Sequence, residues 1–289
     1  MRGLTERTKE SYFSWLARLV SHANLASLND INSEHVSDFL HYQLTHAKAQ
    51  NITVKQAFYS FRLYFRDHLK KKGNDWSIWE EFKIKTNKSL PHVLTQGEVT
   101  HLLKHVKKGR YRSVLTTMYL CGLRISEVVS LKPEHINGQR RIVRIENSKG
   151  GKSREIPLCE EHYHKLRKHW SYHRNKEWLF PAKVNLGTGA SLYDRLQKSE
   201  KHIEVATLRQ VFNKTAKECG LKDRHDKLTP HTLRHSYATH LIEQGACIRA
   251  VSAYLGHSSL ETTMIYLHMT QVSEQRARQV ISGLAQKQL

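Results

Sequence analysis

Cysteine is scarce in this chain. The four residues, Cys121, Cys159, Cys219 and Cys247, lie far apart among 289 and form no CxxC pair. That spacing excludes a disulfide framework and a cysteine-based zinc cluster, and it fits a reducing compartment. Long apolar runs are missing as well. None approaches the length of a membrane span, and the amino terminus MRGLTERTKE lacks the apolar core of a signal peptide. Acidic residues are few, 26 against 47 basic ones, for a formal charge of +21. Such an excess says nothing about the fold but favours a polyanionic partner, nucleic acid first among them. A basic ribosomal protein or a membrane-surface binder would share this charge. No RNP-like or KH-like motif points to RNA. The expectation is a protein made and used in the cytoplasm or on the nucleoid, with no membrane partner.

The length is a soft prior for two domains, and the texture of the chain supports them. Residues 5–23 place Tyr12, Trp15, Leu16, Leu19, Val20 and Ala23 on one helical face. Residues 33–45 repeat the pattern through Val36, Phe39, Leu40 and Leu44, with Ser33 as the expected cap. Residues 53–70 predict a third helix through Val54, Ala57, Phe58, Phe61, Phe65 and Leu69, whose other face carries Lys55, Arg62 and Arg66. A short helical piece follows around Ser77–Phe82. Residues 1–82 therefore read as a small all-helical unit with a basic rim, which is either a solvated face or a set of DNA contacts. Residues 83–93, KIKTNKSLPHV, are polar and basic without a helical period, as a linker is.

Order resumes at Thr95-Gln-Gly-Glu98, the spacing of a capping box, so the second domain is read as 94–289. Helices are expected at about 95–106 and 110–121, the latter closed by Gly122. RRIVRIE (140–146) alternates like a half-buried strand, and REIPL (154–158) returns after a lysine-bearing turn, which predicts a β-hairpin. Residues 159–174 look helical, and 182–203 read as a long exposed loop. Four helices follow at about 206–219, 230–244, 247–255 and 259–268. A tail over 271–286, with an apolar stripe of Val272, Ala277, Val280, Ile281 and Leu284, can form one more. The chain shows no internal repeat and no low-complexity segment. The fold class is mainly α with a small β-hairpin or sheet.

Three groups of residues carry chemistry. In His231-Thr-Leu-Arg234, Thr229 can cap a helix and Pro230 suits its first position, so His231 and Arg234 share one face near a helix amino end. That arrangement suits a phosphate, although a surface His and Arg on an amphipathic helix look the same. In Gly122-Leu-Arg124-Ile-Ser-Glu127 the arginine is placed either to fork onto phosphate oxygens or to pair with Glu127. Leu255-Gly-His257 precedes Tyr266 by nine residues, and a lone helical tyrosine is commonly a core aromatic. The many histidines raise a metal site, but HTLRH has no Glu where HExxH requires one and no carboxylate or cysteine stands at a zinc-like spacing.

The order of these pieces along one chain is what discriminates. GLRISEV, SKGGKSREIPL, TPHTLRHSYATHLIEQG, LGHSSLETTMIY and the domain start LPHVLTQGEV together make the chain resemble the tyrosine recombinase (phage-integrase) family. The resemblance covers the whole second domain, and the helical first domain is similar to the family's core-binding domain. It implies a clamp of the two domains around duplex DNA. Carried over by residue, it implies that Arg124 and Arg234 hold the scissile phosphate and that Lys149 is the hairpin lysine. Lys152, on the same hairpin, is a poorer match for that position and is expected to be a DNA contact. His231 and His257 are the two histidines, Tyr266 is the nucleophile, and Glu127 supports the site.

The implied reaction is transesterification. Tyr266 attacks a phosphodiester, forming a 3′-phosphotyrosyl bond and releasing a 5′-hydroxyl, and a second 5′-hydroxyl reverses the step. The bond energy is conserved, so no nucleotide cofactor is implied. A phenol with a pKa near 10 needs help to lose its proton, a part implied for His231, and Lys149 would protonate the leaving oxygen. Two guanidiniums and His257 would stabilise the growing charge without a metal. The family further implies a tetramer on two specific DNA sites, joined through the tail, and integration, excision or resolution for a mobile element. The expectation is that no arm-site DNA-binding domain accompanies the first helix, which would argue for short, simple sites. A type IB topoisomerase-like nicking-closing enzyme and a non-catalytic DNA-binding protein on the same fold are the alternatives. The first shares the chemistry, and a missing Arg, His or Tyr would mark the second.

Overall fold

The structure, a computed structural model, describes residues 4–84, 90–146, 153–225, 227–267 and 281–282. The chain divides into two compact units, 1–89 and 90–289. Among its described residues the first has helices joined by turns and no strand. Helix α1 (Glu6–His22) is capped by the Thr5 side chain and packs against α2 (Ser33–Thr45) and α3 (Asn51–Phe61). The expected faces are the buried ones: Trp15, Leu16 and Leu19, then Val36, Phe39 and Leu40, then Val54, Ala57, Phe58 and Phe61. Two details differ from expectation. The cap of α2 is Asn32, not Ser33; its carboxamide accepts from the His35 N–H at 2.9 Å, while His35 takes the Asn32 N–H in return. The third helix does not stay α-helical to residue 70. Over Arg62–His68 it widens into a π-helical turn, which keeps Phe65 fully buried against Trp76, 5.4 Å between ring centroids. The short α4 (Ile78–Glu81) buries Ile78 and Trp79 and closes this core.

In the second unit the capping box forms as the spacing requires, with Thr95 and Glu98 exchanging hydrogen bonds at the start of α5 (Gln96–His105). Helix α6 (Gly109–Leu120) follows, then the five-residue α7 (Ile125–Val129). Strands β2 (Ile142–Ile145) and β3 (Arg154–Pro157) pair antiparallel, with Val143 opposite Ile156 and Ile145 opposite Arg154. A two-residue strand β1 (Ile136–Asn137), not expected from the sequence, adds an outer edge to β2. The hairpin connection that carries Lys149 and Lys152 lies outside the described residues, as does nearly all of the expected tail helix over 271–286.

Helix α8 (Glu160–Ser171) leads to the 182–203 excursion, which is not the open loop expected. It contains α9 (Leu192–Gln197), capped by Ser191, and it is closed at its base by the Ala182 N–H bonding the Lys201 carbonyl at 2.7 Å. The buried Asn175 amide lies 2.8–3.0 Å from the carbonyls of Leu196, Gln197 and Ser199. One polar side chain thus satisfies backbone that Leu196 draws inward. Helix α10 (Val205–Glu218) and the single turn α11 (Leu221–Arg224) then lead into α12 (Pro230–Glu243). Ten of the fourteen α12 residues are buried, so it is surrounded rather than amphipathic. It packs against α5 and α6 and against α13 (Ile248–Leu255) and α14 (Glu261–Leu267), and so carries its polar residues into the interior.

Candidate functional site

Two glycines set the backbone of the site. Gly122 has φ +59°, and a Cβ there would stand 2.3 Å from the Tyr237 ring. Only glycine can therefore end α6 against α12 and turn the chain into Arg124. Gly256 has φ +65° where α13 ends, and a Cβ would stand 3.0 Å from Arg154 Cδ. The two short turns meet around Arg234. This residue is 4% exposed and donates from Nη1 to the Gly122 carbonyl at 2.7 Å and from Nη2 to the Leu255 carbonyl at 2.6 Å. The GLR, HxxR and LGH stretches are thus one hydrogen-bonded unit.

Glu127 is the counter-charge. Its carboxylate takes both Nη donors of Arg154, at 3.0 and 2.7 Å, and Arg124 Nη1 at 2.7 Å, with Arg234 Nη1 3.8 Å away. Burial opposes its ionisation, but the hydrogen bonds and charge of Arg154, then Arg124, outweigh that and hold its pKa down to about 2. Burial and the Arg124 charge pull Arg234 down to about 10, so it is still a cation at pH 7. The cluster therefore sets three guanidiniums against one carboxylate. Two positive charges are in excess, which suits an incoming anion.

The tyrosine sits beside this cluster. Tyr266 is 2% exposed, and its hydroxyl lies 2.8 Å from His235 Nδ1. The His257 ring lies nearly parallel to it at 6.5 Å, while His257 Nδ1 contacts the Thr263 hydroxyl at 2.8 Å. Burial pushes the Tyr266 pKa up and Arg234 pulls it partly back. Burial and neighbouring positive charge hold His235 and His257 near 4, so both are neutral at pH 7. His231, one turn before His235 on α12, keeps an exposed surface. Partial desolvation, then Arg234 and Arg124, lower its pKa.

Of the expected site residues, Arg124, Glu127, His231, Arg234, His257 and Tyr266 converge here. Lys55, Arg62 and Arg66 belong to the first unit, where all three are half-buried. Lys55 lies 6.0 Å over the Tyr59 ring, and Arg66 is paired with Asp67 at 2.8 Å. Two residues escaped the sequence reading. Arg154 is one, and the strand alternation holds its signal: it shares the inward face of β3 with the buried Ile156. Its Nε also donates to the Tyr254 carbonyl at 2.7 Å, tying the hairpin to α13. His235 is the other. Standing four residues after His231, it falls on the same helix face. Among the described residues no group of three or more His, Cys, Asp or Glu is placed to hold a metal ion.

The fold matches that of a lambda integrase dimer bound to a core site, with TM-score 0.71 and 18% identity over 92% of this chain and 89% of that one. The model of the phage integrase family matches residues 92–272, and that of the phage integrase N-terminal SAM-like domain matches residues 1–75. The chain is 32% identical over 281 residues to the tyrosine recombinase XerD of Oceanobacillus iheyensis, covering 93% of this chain and 90% of the relative. It is 32% identical over 288 residues to XerD of Pseudomonas putida, covering 95% and 91%. The chain belongs to the phage integrase family. It is a tyrosine-type site-specific recombinase, an enzyme that cuts and rejoins DNA. Among the described residues no helix is long and apolar enough to cross a membrane.

Proposed function

We propose that Tyr266 is the nucleophile and forms the 3′-phosphotyrosyl intermediate at a phosphate seated on Arg124, Arg234 and His257. The observation that carries this is the placing of the Tyr266 hydroxyl, 2.8 Å from His235 and beside the cluster in which Glu127 holds Arg124 and Arg154. His235 positions the hydroxyl without taking its proton, because an imidazole near 4 is too weak a base for a phenol raised above its usual value. His231, neutral and accessible, receives the proton once the phosphate is bound, and Lys149 protonates the leaving 5′-oxygen, with Lys152 beside it in sequence. Guanidiniums fixed by Glu127 and by backbone carbonyls need no reorganisation as charge grows. Losing one such donor costs on the order of 10² to 10³ in rate.

The substrate is double-stranded DNA with specific sites. Residues 1–82 act as the core-binding domain, with Lys55, Arg62 and Arg66 on phosphates, 83–93 as the linker and 94–289 as the catalytic domain. Tail residues 271–286 link subunits into a tetramer on two sites, for a mobile element and on the nucleoid. The test is incubation with nicked duplex substrates from the gene's own neighbourhood, in EDTA, followed by denaturation in SDS. A covalent protein–DNA band is expected from the wild type and none from Tyr266→Phe. A band that persists in Tyr266→Phe removes the assignment.

A further inference from the structure

The second unit contains another cationic cavity that the recombination site does not use. It lies between the start of α6, helix α8 and the 182–203 excursion, and its volume is about 880 Å³. Lys108, Arg110, Arg112, Lys165, Lys168 and Lys183 line it, and no carboxylate is among its lining residues. Exposed lysines relieve such crowding by facing water, whereas the half-buried Arg110 keeps part of its guanidinium inside the wall. Its Nε and Nη1 are buried and have no hydrogen-bond partner among the described residues, and its guanidinium lies 4.8 Å over the Tyr111 ring. A buried guanidinium N–H without an acceptor is costly, so an anion that draws the Arg110 side chain toward the cavity relieves that cost.

A further lining group is unmet. His162 Nδ1 is buried without a partner, whereas His173, whose Nδ1 accepts from the Asn175 N–H, is engaged by the Leu179 backbone. Burial and neighbouring positive charge hold both rings near 4, so they are neutral at pH 7 and able to donate or accept. The first turn of α6 carries no acidic residue and no side-chain cap, so its backbone adds partial positive charge. Tyr111, Leu166, Tyr172, Leu192 and Leu196 give the wall an apolar and aromatic part, beside the small polar Ser113 and Thr116. The cavity is separate from the arginine cluster: α6 begins at Gly109 on its wall and runs twelve residues toward Gly122, roughly 18 Å of helix.

We propose that this cavity binds a small phosphate-bearing ligand with an aromatic or apolar body, of the kind a nucleoside phosphate provides. Arg110 takes the phosphate, Lys165, Lys168 and Lys183 neutralise it, and Tyr111 and Leu192 cover the body. The same phosphate chemistry is available from the DNA backbone, but Arg110 is half-buried in the cavity lining, which favours a ligand small enough to enter.

The test is calorimetric titration of the full chain with metal-free ATP, and separately with duplex DNA, for wild type, Arg110→Met and Lys168→Ala. Saturable one-to-one ATP binding is expected in the wild type. Arg110→Met should weaken it by about tenfold or more, the loss of a charge-assisted hydrogen-bond pair. Lys168→Ala, a change at an exposed residue, should weaken it in the same direction. The ligand-free melting temperature of Arg110→Met should be unchanged or higher, because an unmet buried cation has gone, and its duplex affinity should match the wild type. Absence of saturable binding in the wild type overturns the proposal, as does equal ATP affinity in the wild type and Arg110→Met. Loss of duplex affinity in Arg110→Met without any ATP binding also overturns it and makes Arg110 a DNA-backbone contact.

Discussion

Replacing Glu127 with Gln keeps the side chain's shape and removes the one negative charge that Arg124, Arg154 and Arg234 share. The folded carboxyl has moved from an ordinary value of 4.5 to about 2. That difference is worth roughly 3 kcal/mol of folding free energy when the group is fully ionised. The side chain is only 10% exposed, so solvent screening discounts little of it. Because the folded value is the lower one, the stability is complete well above 4.5 and drains away as pH falls toward 2. Roughly 2 kcal/mol of it is lost between pH 6 and pH 3. Glu127→Gln has no such contribution to lose at this position. Urea unfolding of both proteins at pH 6 and at pH 3, followed by circular dichroism and tryptophan emission, isolates the effect. The variant should be clearly weaker at pH 6, and the gap should narrow by about 2 kcal/mol at pH 3. A gap of the same size at both pH values refutes the reasoning, because Glu127 would then act through packing and not through charge.

Three other outcomes follow from the same geometry. Arg154→Leu strips Glu127 of its bidentate partner and should cost about 3–5 kcal/mol in thermal or urea unfolding, and Arg154→Lys should not restore it, since one ammonium cannot span both carboxylate oxygens and the Tyr254 carbonyl. Gly122→Ala places a methyl 2.3 Å from Tyr237 in a left-handed backbone, and should destabilise the second unit by about 2–4 kcal/mol; a change below 1 kcal/mol would show that Tyr237 yields easily. His235→Phe keeps a ring but loses the hydrogen bond to Tyr266, so covalent-complex formation should slow by about 10- to 100-fold with duplex affinity unchanged, whereas a wild-type rate would deny His235 its positioning role.

The helices of both units were legible because their signals are local. Apolar residues at 3, 4 spacing gave α1 and α2, and the exchange between Thr95 and Glu98 gave the start of α5. Where a tertiary partner overrode local preference, the reading failed. The aromatic cluster around Phe65 and Trp76 accompanies a π-helical turn in place of the expected α-helix. Asn175, remote in sequence from α9, organises what looked like an open loop. The two-residue β1 is too short to carry a pattern and exists because β2 offers it an edge.

The site divides along the same line. By itself the sequence determined which chemical groups are present and in what order: Arg124, His231, Arg234, His257 and Tyr266 each stand in a recognisable stretch. It also determined the two glycines, because a positive φ leaves almost no other choice. Only the tertiary structure decided which partner each group takes. Glu127 could have paired with Arg124 alone, but the turn of β3 brings Arg154 onto both its oxygens. Tyr266 could have faced His231, but one helical turn along α12 puts His235 at its hydroxyl. Hydrogen bonds of this kind join residues about a hundred or more positions apart, as Arg154 joins Tyr254 and Arg234 joins Gly122. Their formation depends on angles and distances set by packing of whole helices, and no local pattern in the chain encodes those.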